Sequence, residues 1–117
     1  ASGNRVVAVP SLKAALIVAD FYQLLDTSDV PGGVINLVTG VPSELATVLA
    51  AHDDVAAIWA VGPADECEQI KKESAGNLKS VWTSDGKSPD WYDSQAEGSS
   101  WLERATQVKN IWVPYGE

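Results

Sequence analysis

The chain has 117 residues, of which 45% are hydrophobic, and this length suits one globular core rather than two. The formal net charge is −8, and an acidic field of this kind repels phosphate backbones and anionic lipid, which argues against nucleic-acid and membrane partners. One cysteine and one histidine exclude an intramolecular disulfide and a Cys/His zinc cluster.

Apolar stretches are short, and the longest, such as residues 55–61, fall far below the ~20 residues that a membrane-spanning helix needs. The sequence opens without a basic and apolar leader, so the cytoplasm is the expected compartment by default. It also begins in mid-pattern and without an initiator Met. We therefore expect the chain to be an excised piece of a longer polypeptide.

Apolar, β-branched runs alternate with amphipathic segments along the first half of the chain. The first run, residues 5–9, stops at Pro10, and Ser11 is placed to cap a helix that ends near Asp26. A Pro-Gly-Gly turn then leads to a second apolar run at residues 34–38. This half of the chain predicts a strand, a helix and a second strand.

The same alternation continues to residue 82. Ser43 is placed to cap a second helix, a third strand is predicted at residues 55–61, and Pro63 suits the first turn of a third helix that Gly76 ends. Residues 78–82 form the fourth predicted strand. Strict alternation predicts an α/β fold, a Rossmann-like three-layer sandwich whose mostly parallel sheet of four to five strands carries helices on both faces.

The pattern breaks in the last third of the chain. Residues 85–100 are rich in Gly, Ser, Asp and Pro, which is typical of a linker or long loop. A short helix at 101–107 and a strand at 108–113 are predicted to follow. We therefore divide the chain into residues 1–89, one α/β unit, and residues 90–117, whose terminal strand completes the sheet or forms an interface.

Three stretches resemble the aldehyde dehydrogenase superfamily in order and spacing. The first is GNRVVAVPS at residues 3–11, which looks like the strand and turn that precede a cofactor helix. The second is VPGGVINLVTG at 30–40, with the AHDDV corner at 51–55. The third is NLKSV at 77–81, followed by GKSP at 86–89. The resemblance implies the Rossmann-like cofactor-binding domain of an NAD(P)-dependent enzyme.

The closing residues 101–113 resemble the last helix and strand of the same family, which belong to its oligomerisation region. Here they follow almost directly on residues 86–89, and the catalytic domain that normally lies between is missing. This arrangement is similar to the truncated C-terminal module of the two-module, family-16 aldehyde dehydrogenases.

The resemblance implies a reaction that needs a Cys nucleophile and a Glu general base. No Cys follows Pro89, and Thr83 stands at the position of the Glu, where a hydroxyl cannot take a proton at neutral pH. Cys67 falls on the expected buried side of the third helix and is predicted to be a packed core thiol. We therefore predict that this chain has no catalytic residues and is not an enzyme.

The family's Lys and Glu that hold the adenosine ribose correspond to Val9 and Leu12, which cannot hydrogen-bond a hydroxyl through their side chains. The Gly-Ser at the start of the phosphate-facing helix corresponds to Gly62 and Pro63, and proline lacks the N–H that would contact phosphate. The following acids at residues 65 and 66 add negative charge there. We therefore predict no cofactor.

The alternative is residual NAD binding, for which the turns after the strands are the candidate positions. These are Pro10, Ser11, Gly40 and Gly62.

Other candidate sites have simpler interpretations. His52 precedes two acids, but a helix-ending histidine packed beneath the next strand is favoured over a catalytic pair. Asp85, Asp90 and Asp93 could hold a hard cation, but they lack calcium-loop spacing and favour a solvated acidic loop. The turn at residues 40–43 could cradle an anion or simply join a strand to a helix. We predict no metal site.

The five Trp residues are numerous for a chain of this size. Trp59 and Trp82 lie in predicted strands and are expected in the core. Exposed aromatic and aliphatic side chains of the last third favour a protein interface. These candidate interface residues are Trp91, Trp101, Ile111 and Trp112.

Two functional hypotheses follow from the sequence. The first is a non-catalytic aldehyde dehydrogenase-like domain that acts in interaction or assembly, with another module, another protein or a second copy as its partner. The second is a portion of an NAD(P)-dependent aldehyde dehydrogenase that retains nucleotide binding and serves an enzyme that oxidises aldehydes to carboxylic acids.

Overall fold

The computed structural model describes residues 3–108 and 110–116. The strands are β1 (Val6–Ala8), β2 (Ile35–Leu37), β3 (Ala57–Ala60) and β4 (Ser80–Thr83). The α-helices are α1 (Ala15–Asp26), α2 (Pro42–Ala51), α3 (Ala64–Glu73) and α4 (Ser99–Arg104). Short 3-10 segments occupy Leu12–Ala14, Ser74–Gly76 and Ser94–Glu97.

Both strand pairings are parallel, with helices in the connections. β1 pairs with β2, placing Val6 opposite Ile35, and β3 pairs with β4, placing Trp59 opposite Trp82. Parallel pairing confirms the predicted α/β class, because parallel neighbours require crossover connections.

The predicted single sheet of four to five strands is not observed. The described strands form two separate two-stranded sheets. Each strand is only three or four residues long, and no strand in the described part of the chain is hydrogen-bonded to both pairs.

The strand predicted at residues 108–113 is also wrong for this chain. Residues 106–108 and 110–116 form no strand, and residue 109 lies outside the described part. Val108, Ile111 and Trp112 are exposed. The physical reason is that an extended segment becomes a strand only beside another strand, and none in the described residues pairs with it.

Two helix starts differ from the sequence prediction. α2 begins at Pro42 with Val41 as its N-cap, so Ser43 lies inside the first turn. α3 begins at Ala64 with Pro63 as its N-cap. In α2, the fixed φ of proline suits the first helical position, so the proline, rather than the serine hydroxyl, determines where the helix begins.

The buried core lies where α2 and α3 pack against β3. Its central residues are Ala50, Ile58 and Ile70. Cys67 is 1% exposed on the inner side of α3, which confirms the predicted core thiol. Its Sγ lies 3.6 Å from the Gly62 carbonyl oxygen.

The short helix α4 connects the two strand pairs. The Asn4 side-chain amide, just before β1, donates a hydrogen bond of 2.6 Å to the Ala105 carbonyl at the end of α4. On the other side, Trp101 of α4 packs against Trp59 and Trp82 in β3 and β4. The predicted helix at 101–107 is therefore real but begins and ends earlier, at Ser99–Arg104.

The chain exposes far more surface than a closed domain of its mass. Its accessible surface is 9469 Å², whereas a compact protein of this mass exposes about 6,100 Å². The radius of gyration is 16.6 Å, against about 13 Å for a compact domain of this length. Many large apolar side chains are exposed, and α1 has no buried residue.

Lys79 caps the C-terminal end of α2 from the segment before β4. This lysine is buried, and its Nζ donates to the carbonyls of Ala50 at 2.6 Å and His52 at 2.7 Å, with Leu49 at 3.4 Å. The last carbonyls of a helix have no partner within the helix and carry its negative dipole end. The buried Lys79 ammonium donates hydrogen bonds to these carbonyls and compensates the negative end of the helix dipole. It also fixes α2 against β4.

We expect Lys79→Met to destabilise the fold by about 2 kcal/mol, because it leaves buried carbonyls without a donor. Urea unfolding monitored by circular dichroism measures the change. The matched control is Lys13→Met in the exposed 3-10 segment, which should stay within about 0.5 kcal/mol of the unaltered chain. Equal stability of the two variants would show that the cap is dispensable.

Candidate functional site

The turns that follow parallel strands are where α/β proteins bind ligands. In this chain Pro10 and Ser11 follow β1, and Gly40 comes after β2 and just before α2. Gly62 comes after β3 and just before the start of α3. The first three positions therefore belong to one strand pair and Gly62 to the other.

Gly40 lies close to the Leu45 side chain in the first turn of α2. A Cβ added there would lie 2.9 Å from Leu45 Cδ1, the far end of a flexible side chain, so the leucine side chain would have to shift. Glycine lets the first turn of α2 approach the end of β2 closely. The interpretation of residues 40–43 as a strand-to-helix turn accounts for this geometry.

The backbone of Gly62 already has partners within the chain. Its N–H donates to the Ser84 hydroxyl at 3.2 Å, and its carbonyl accepts the Gly86 N–H at 3.0 Å. Pro63 next to it has no N–H to offer. A phosphate at this turn would have to displace the buried Ser84 hydroxyl and would face the acidic first turn of α3.

Thr83 lies at the end of β4 within a small polar network. Its hydroxyl donates to Asp85 Oδ1 at 2.7 Å, and Lys71 Nζ lies 2.6 Å from the same oxygen. The hydrogen bond from Lys71, followed by that from Thr83, lowers the pKa of Asp85 below its ordinary value of 3.8. The network ties the last turn of α3 to the loop after β4.

His52 ends α2 as its C-cap and is exposed, so the expectation that it packs beneath the next strand is wrong. Its Nδ1 accepts the backbone N–H of Asp54 at 3.2 Å, which makes it part of the local turn. Across residues 3–108 and 110–116, no group of three or more His, Cys, Asp or Glu could hold a metal ion.

No helix within that same described part has the length and apolar character required to cross a membrane.

Four of the five tryptophans form one cluster. The ring centroid of Trp82 lies 6.4 Å from that of Trp59 and 4.9 Å from that of Trp101. The centroid of Trp91 lies 5.6 Å from that of Trp101. The strand register explains the contact between Trp59 and Trp82, because these two residues are direct partners in the parallel pair of β3 and β4. We call these residues the tryptophan cluster: Trp59, Trp82, Trp91 and Trp101.

The cluster changes the placement of three tryptophans. Trp59 is 42% exposed and Trp82 only half-buried, so neither lies in the core as predicted. Trp101, predicted as an exposed interface residue, is half-buried against these two strand residues. Sequence reasoning missed the contact because the long loop before α4 gave no measure of where that helix would pack.

Trp91 and the C-terminal candidates remain accessible. Trp91 is exposed although one side of its ring contacts Trp101. Ile111 and Trp112 are exposed, Trp112 to 92%. These three residues lie where an interface could use them, in contrast to Trp101.

A cleft of about 270 Å³ opens beside the cluster. Trp82, Trp101 and Pro89 form its apolar wall. Asp90, Asp93 and Arg104 supply its charged groups. The cleft is thus lined mainly by the loop and helix of the last third of the chain.

We expect Lys71→Gln to raise the pKa of Asp85 toward its usual value, because the largest cause of the lowering is removed while the Thr83 bond remains. A lowered pKa stabilises the fold above the unfolded-state pKa, and this contribution is lost as pH falls through the folded-state value. Carboxyl NMR shifts against pH measure the change. Lys72→Gln, next in the sequence and not bonded to Asp85, is the control. Indistinguishable Asp85 titrations in both variants would contradict the assignment.

Comparison with known proteins identifies the family. The aldehyde dehydrogenase family model matches residues 1–107. The (Z)-2-((N-methylformamido)methylene)-5-hydroxybutyrolactone dehydrogenase of Acinetobacter baylyi is 38% identical over 90 residues, which cover 76% of this chain and 18% of that protein. The NADP/NAD-dependent aldehyde dehydrogenase PuuC of Escherichia coli is 34% identical over 87 residues, covering 74% and 18%.

A solved structure agrees with the sequence relatives. The aldehyde dehydrogenase from Bartonella henselae superimposes with a TM-score of 0.63 and 32% identity, covering 68% of this chain and 17% of that one. The likeness confirms the Rossmann-like α/β fold. The chain spans less than a fifth of the length of these relatives. It belongs to the aldehyde dehydrogenase family.

Proposed function

We propose that the chain is a non-catalytic part of an aldehyde dehydrogenase-like polypeptide and that it acts in assembly. In this proposal its excess apolar surface is covered by another module, another protein or a second copy. The observation that carries the proposal is the accessible surface of 9469 Å², roughly half as much again as a closed domain of this mass exposes.

Two segments each expose several large apolar side chains. Leu16, Ile17 and Leu24 of α1 are all exposed, Leu16 to 85%. Residues 108 and 110–116 form the second segment, with Ile111 and Trp112. Exposed apolar side chains that are grouped in one segment favour an interaction site in a soluble protein.

The strands also leave backbone groups for a partner. Isolated two-stranded sheets are marginally stable in water, and three or more strands are normally needed. Each pair here has edges that no other described strand completes. An added strand from another polypeptide segment would supply main-chain hydrogen bonds at low cost.

The chemistry at the strand ends supports the absence of catalysis. Thr83 occupies the position of the general base in the family resemblance, and its hydroxyl is bound to Asp85. Gly62 donates its N–H to Ser84 rather than offering it to a phosphate. The engaged groups of Thr83 and Gly62 therefore support the proposal of a non-catalytic chain.

The second candidate is a portion that retains nucleotide binding. Its support is family membership, since a relative is named as an NADP/NAD-dependent aldehyde dehydrogenase. In that case the turns at Pro10, Ser11, Gly40 and Gly62 would hold the dinucleotide. The first proposal is preferred because the two strand pairs place these positions in separate sheets.

We expect the purified chain to show no specific, saturable binding of NAD and to produce no NADH from short or aromatic aldehydes. The reason is the loss of acceptor groups at Val9 and Leu12 and of a phosphate-facing N–H at Pro63. Amide NMR shifts during NAD titration and absorbance of NADH are the two measurements.

Saturable, sub-millimolar shifts confined to the turns at Gly40 and Gly62 would favour the nucleotide-binding candidate. NADH production that survives Cys67→Ala would overturn the non-catalytic assignment. Cys67→Ala is the appropriate variant because this is the chain's only cysteine.

We expect the chain to self-associate as its concentration rises, and Ile111→Ser combined with Trp112→Ser to weaken that association severalfold by removing exposed apolar surface. Sedimentation velocity gives the mass distribution, and circular dichroism checks that the helices are retained. Tyr92→Ser, an equally exposed aromatic outside the segment, is the matched control. A folded monomer at all concentrations, before and after substitution, would argue against a role of this segment in assembly.

A further inference from the structure

The loop after β4 contains the dipeptide Asp85–Gly86 at the centre of a tight turn. The Lys87 N–H donates to the Ser84 carbonyl at 3.0 Å, which closes the turn. Both central residues have positive φ, 49° at Asp85 and 80° at Gly86. Aspartate and glycine are among the residues that tolerate this left-handed backbone, so turn geometry accounts for the dipeptide. The same dipeptide is also chemically reactive.

In an Asp-Gly pair the main chain can attack the side chain with little hindrance, because glycine has no Cβ beside the attacking nitrogen. The Gly86 nitrogen forms a bond to Asp85 Cγ, and the hydroxyl of the protonated carboxyl leaves as water with the amide proton. A second water then opens the resulting five-membered succinimide. Opening at the main-chain carbonyl yields isoaspartate, in which the chain runs through the former side-chain carboxyl and the mass is unchanged.

Both reacting groups are held by other parts of the fold. Asp85 Oδ1 accepts hydrogen bonds from Lys71 Nζ of α3 at 2.6 Å and from the Thr83 hydroxyl at 2.7 Å. The Gly86 N–H donates to the Gly62 carbonyl at 3.0 Å. For the nitrogen to reach the carboxyl carbon, the carboxyl group must rotate away from Lys71 or the peptide must leave Gly62. The reaction therefore requires a local opening of the turn.

Lys71 also opposes the reaction through its charge. Its hydrogen bond is the largest cause of the lowered pKa of Asp85, so the protonated, reactive fraction of this carboxyl is smaller than in an unpaired aspartate. The side chain of Asp85 is 54% exposed, and water has access to it. The hydrogen bonds, rather than burial, are therefore what protects the dipeptide.

We propose that Asp85–Gly86 is a site of isoaspartate formation that the Lys71 salt bridge and the bond between Gly86 and Gly62 hold closed. Isoaspartate adds a methylene group to the main chain and moves the free carboxylate. The modification therefore breaks the bond to Lys71 and releases the last turn of α3 from the loop after β4. This inference does not depend on the proposed role in assembly.

The first test compares the folded chain with the chain in guanidinium chloride, both incubated at neutral pH and physiological temperature. Trypsin then releases residues 80–87, a peptide with Trp82 for detection and Asp85 as its only acidic residue. Chromatography separates its Asp and isoaspartate forms, which have equal mass. We expect isoaspartate to form severalfold more slowly in the folded chain. Equal rates, or no isoaspartate in either sample, would overturn the proposal.

Substitutions test the two bonds to the Asp85 carboxylate. Lys71→Gln should accelerate isoaspartate formation in the folded chain severalfold, while Lys72→Gln, the same charge change on the neighbouring residue, should leave the rate unchanged. Thr83→Val should accelerate it less, because the bond from Lys71 is the larger cause of the lowered pKa. Circular dichroism of the same samples verifies the fold, and Thr83→Val carries the comparison if Lys71→Gln unfolds. Rates no faster than that of Lys72→Gln would overturn the proposal.

Discussion

Burial of apolar surface is the constraint on which the rest of this structure depends. The chain's own elements cover only a small core between α2, α3 and β3, centred on Ala50, Ile58 and Ile70. Each fully buried aliphatic side chain contributes about 1.5–3 kcal/mol, so a core this small supports little of the conformational entropy that folding removes. Helix α1 has no buried residue and the C-terminal segment is exposed, and this exposure is the physical basis of the assembly role that we propose.

Polar side chains supplement the small apolar core around α2, α3, β3 and β4. Lys79 holds the end of α2 through three carbonyls, and Lys71 holds the loop after β4 through Asp85. Ser84 occupies the N–H of Gly62. The contacts of Lys71 and Ser84 lie at the carboxyl ends of β3 and β4, the edge where related α/β proteins place ligands, whereas Lys79 lies at the opposite edge. Under the proposed function, the Gly62 N–H that a dinucleotide would need is thus already bonded to Ser84.

Sequence reasoning predicted the elements well where local chemistry decides them. The periodicity of the apolar residues and the positions of the turn residues located all four strands of the α/β unit and its three main helices. Cys67 lies in the core as expected. The pairing of distant strands could not be predicted from the sequence. No local sequence pattern indicates that the strands form two pairs or that residues 108–113 lack a neighbouring strand. The packing of Trp101 on Trp82 was missed for the same reason. Of the candidate site residues, only their positions at strand ends could be predicted, and the hydrogen bonds that engage Gly62 and Thr83 required the structure.

Hydrogen exchange offers the most direct measurement of whether other protein covers this chain. The amides of α1 are compared between the isolated chain and the longer polypeptide that we propose contains it, with the amides of α2 and α3 as internal reference. The account predicts fast exchange of α1 in the isolated chain and strong protection in the longer polypeptide, while α2 and α3 change little. Equal exchange of α1 in both states would contradict the claim that its apolar surface is an interface.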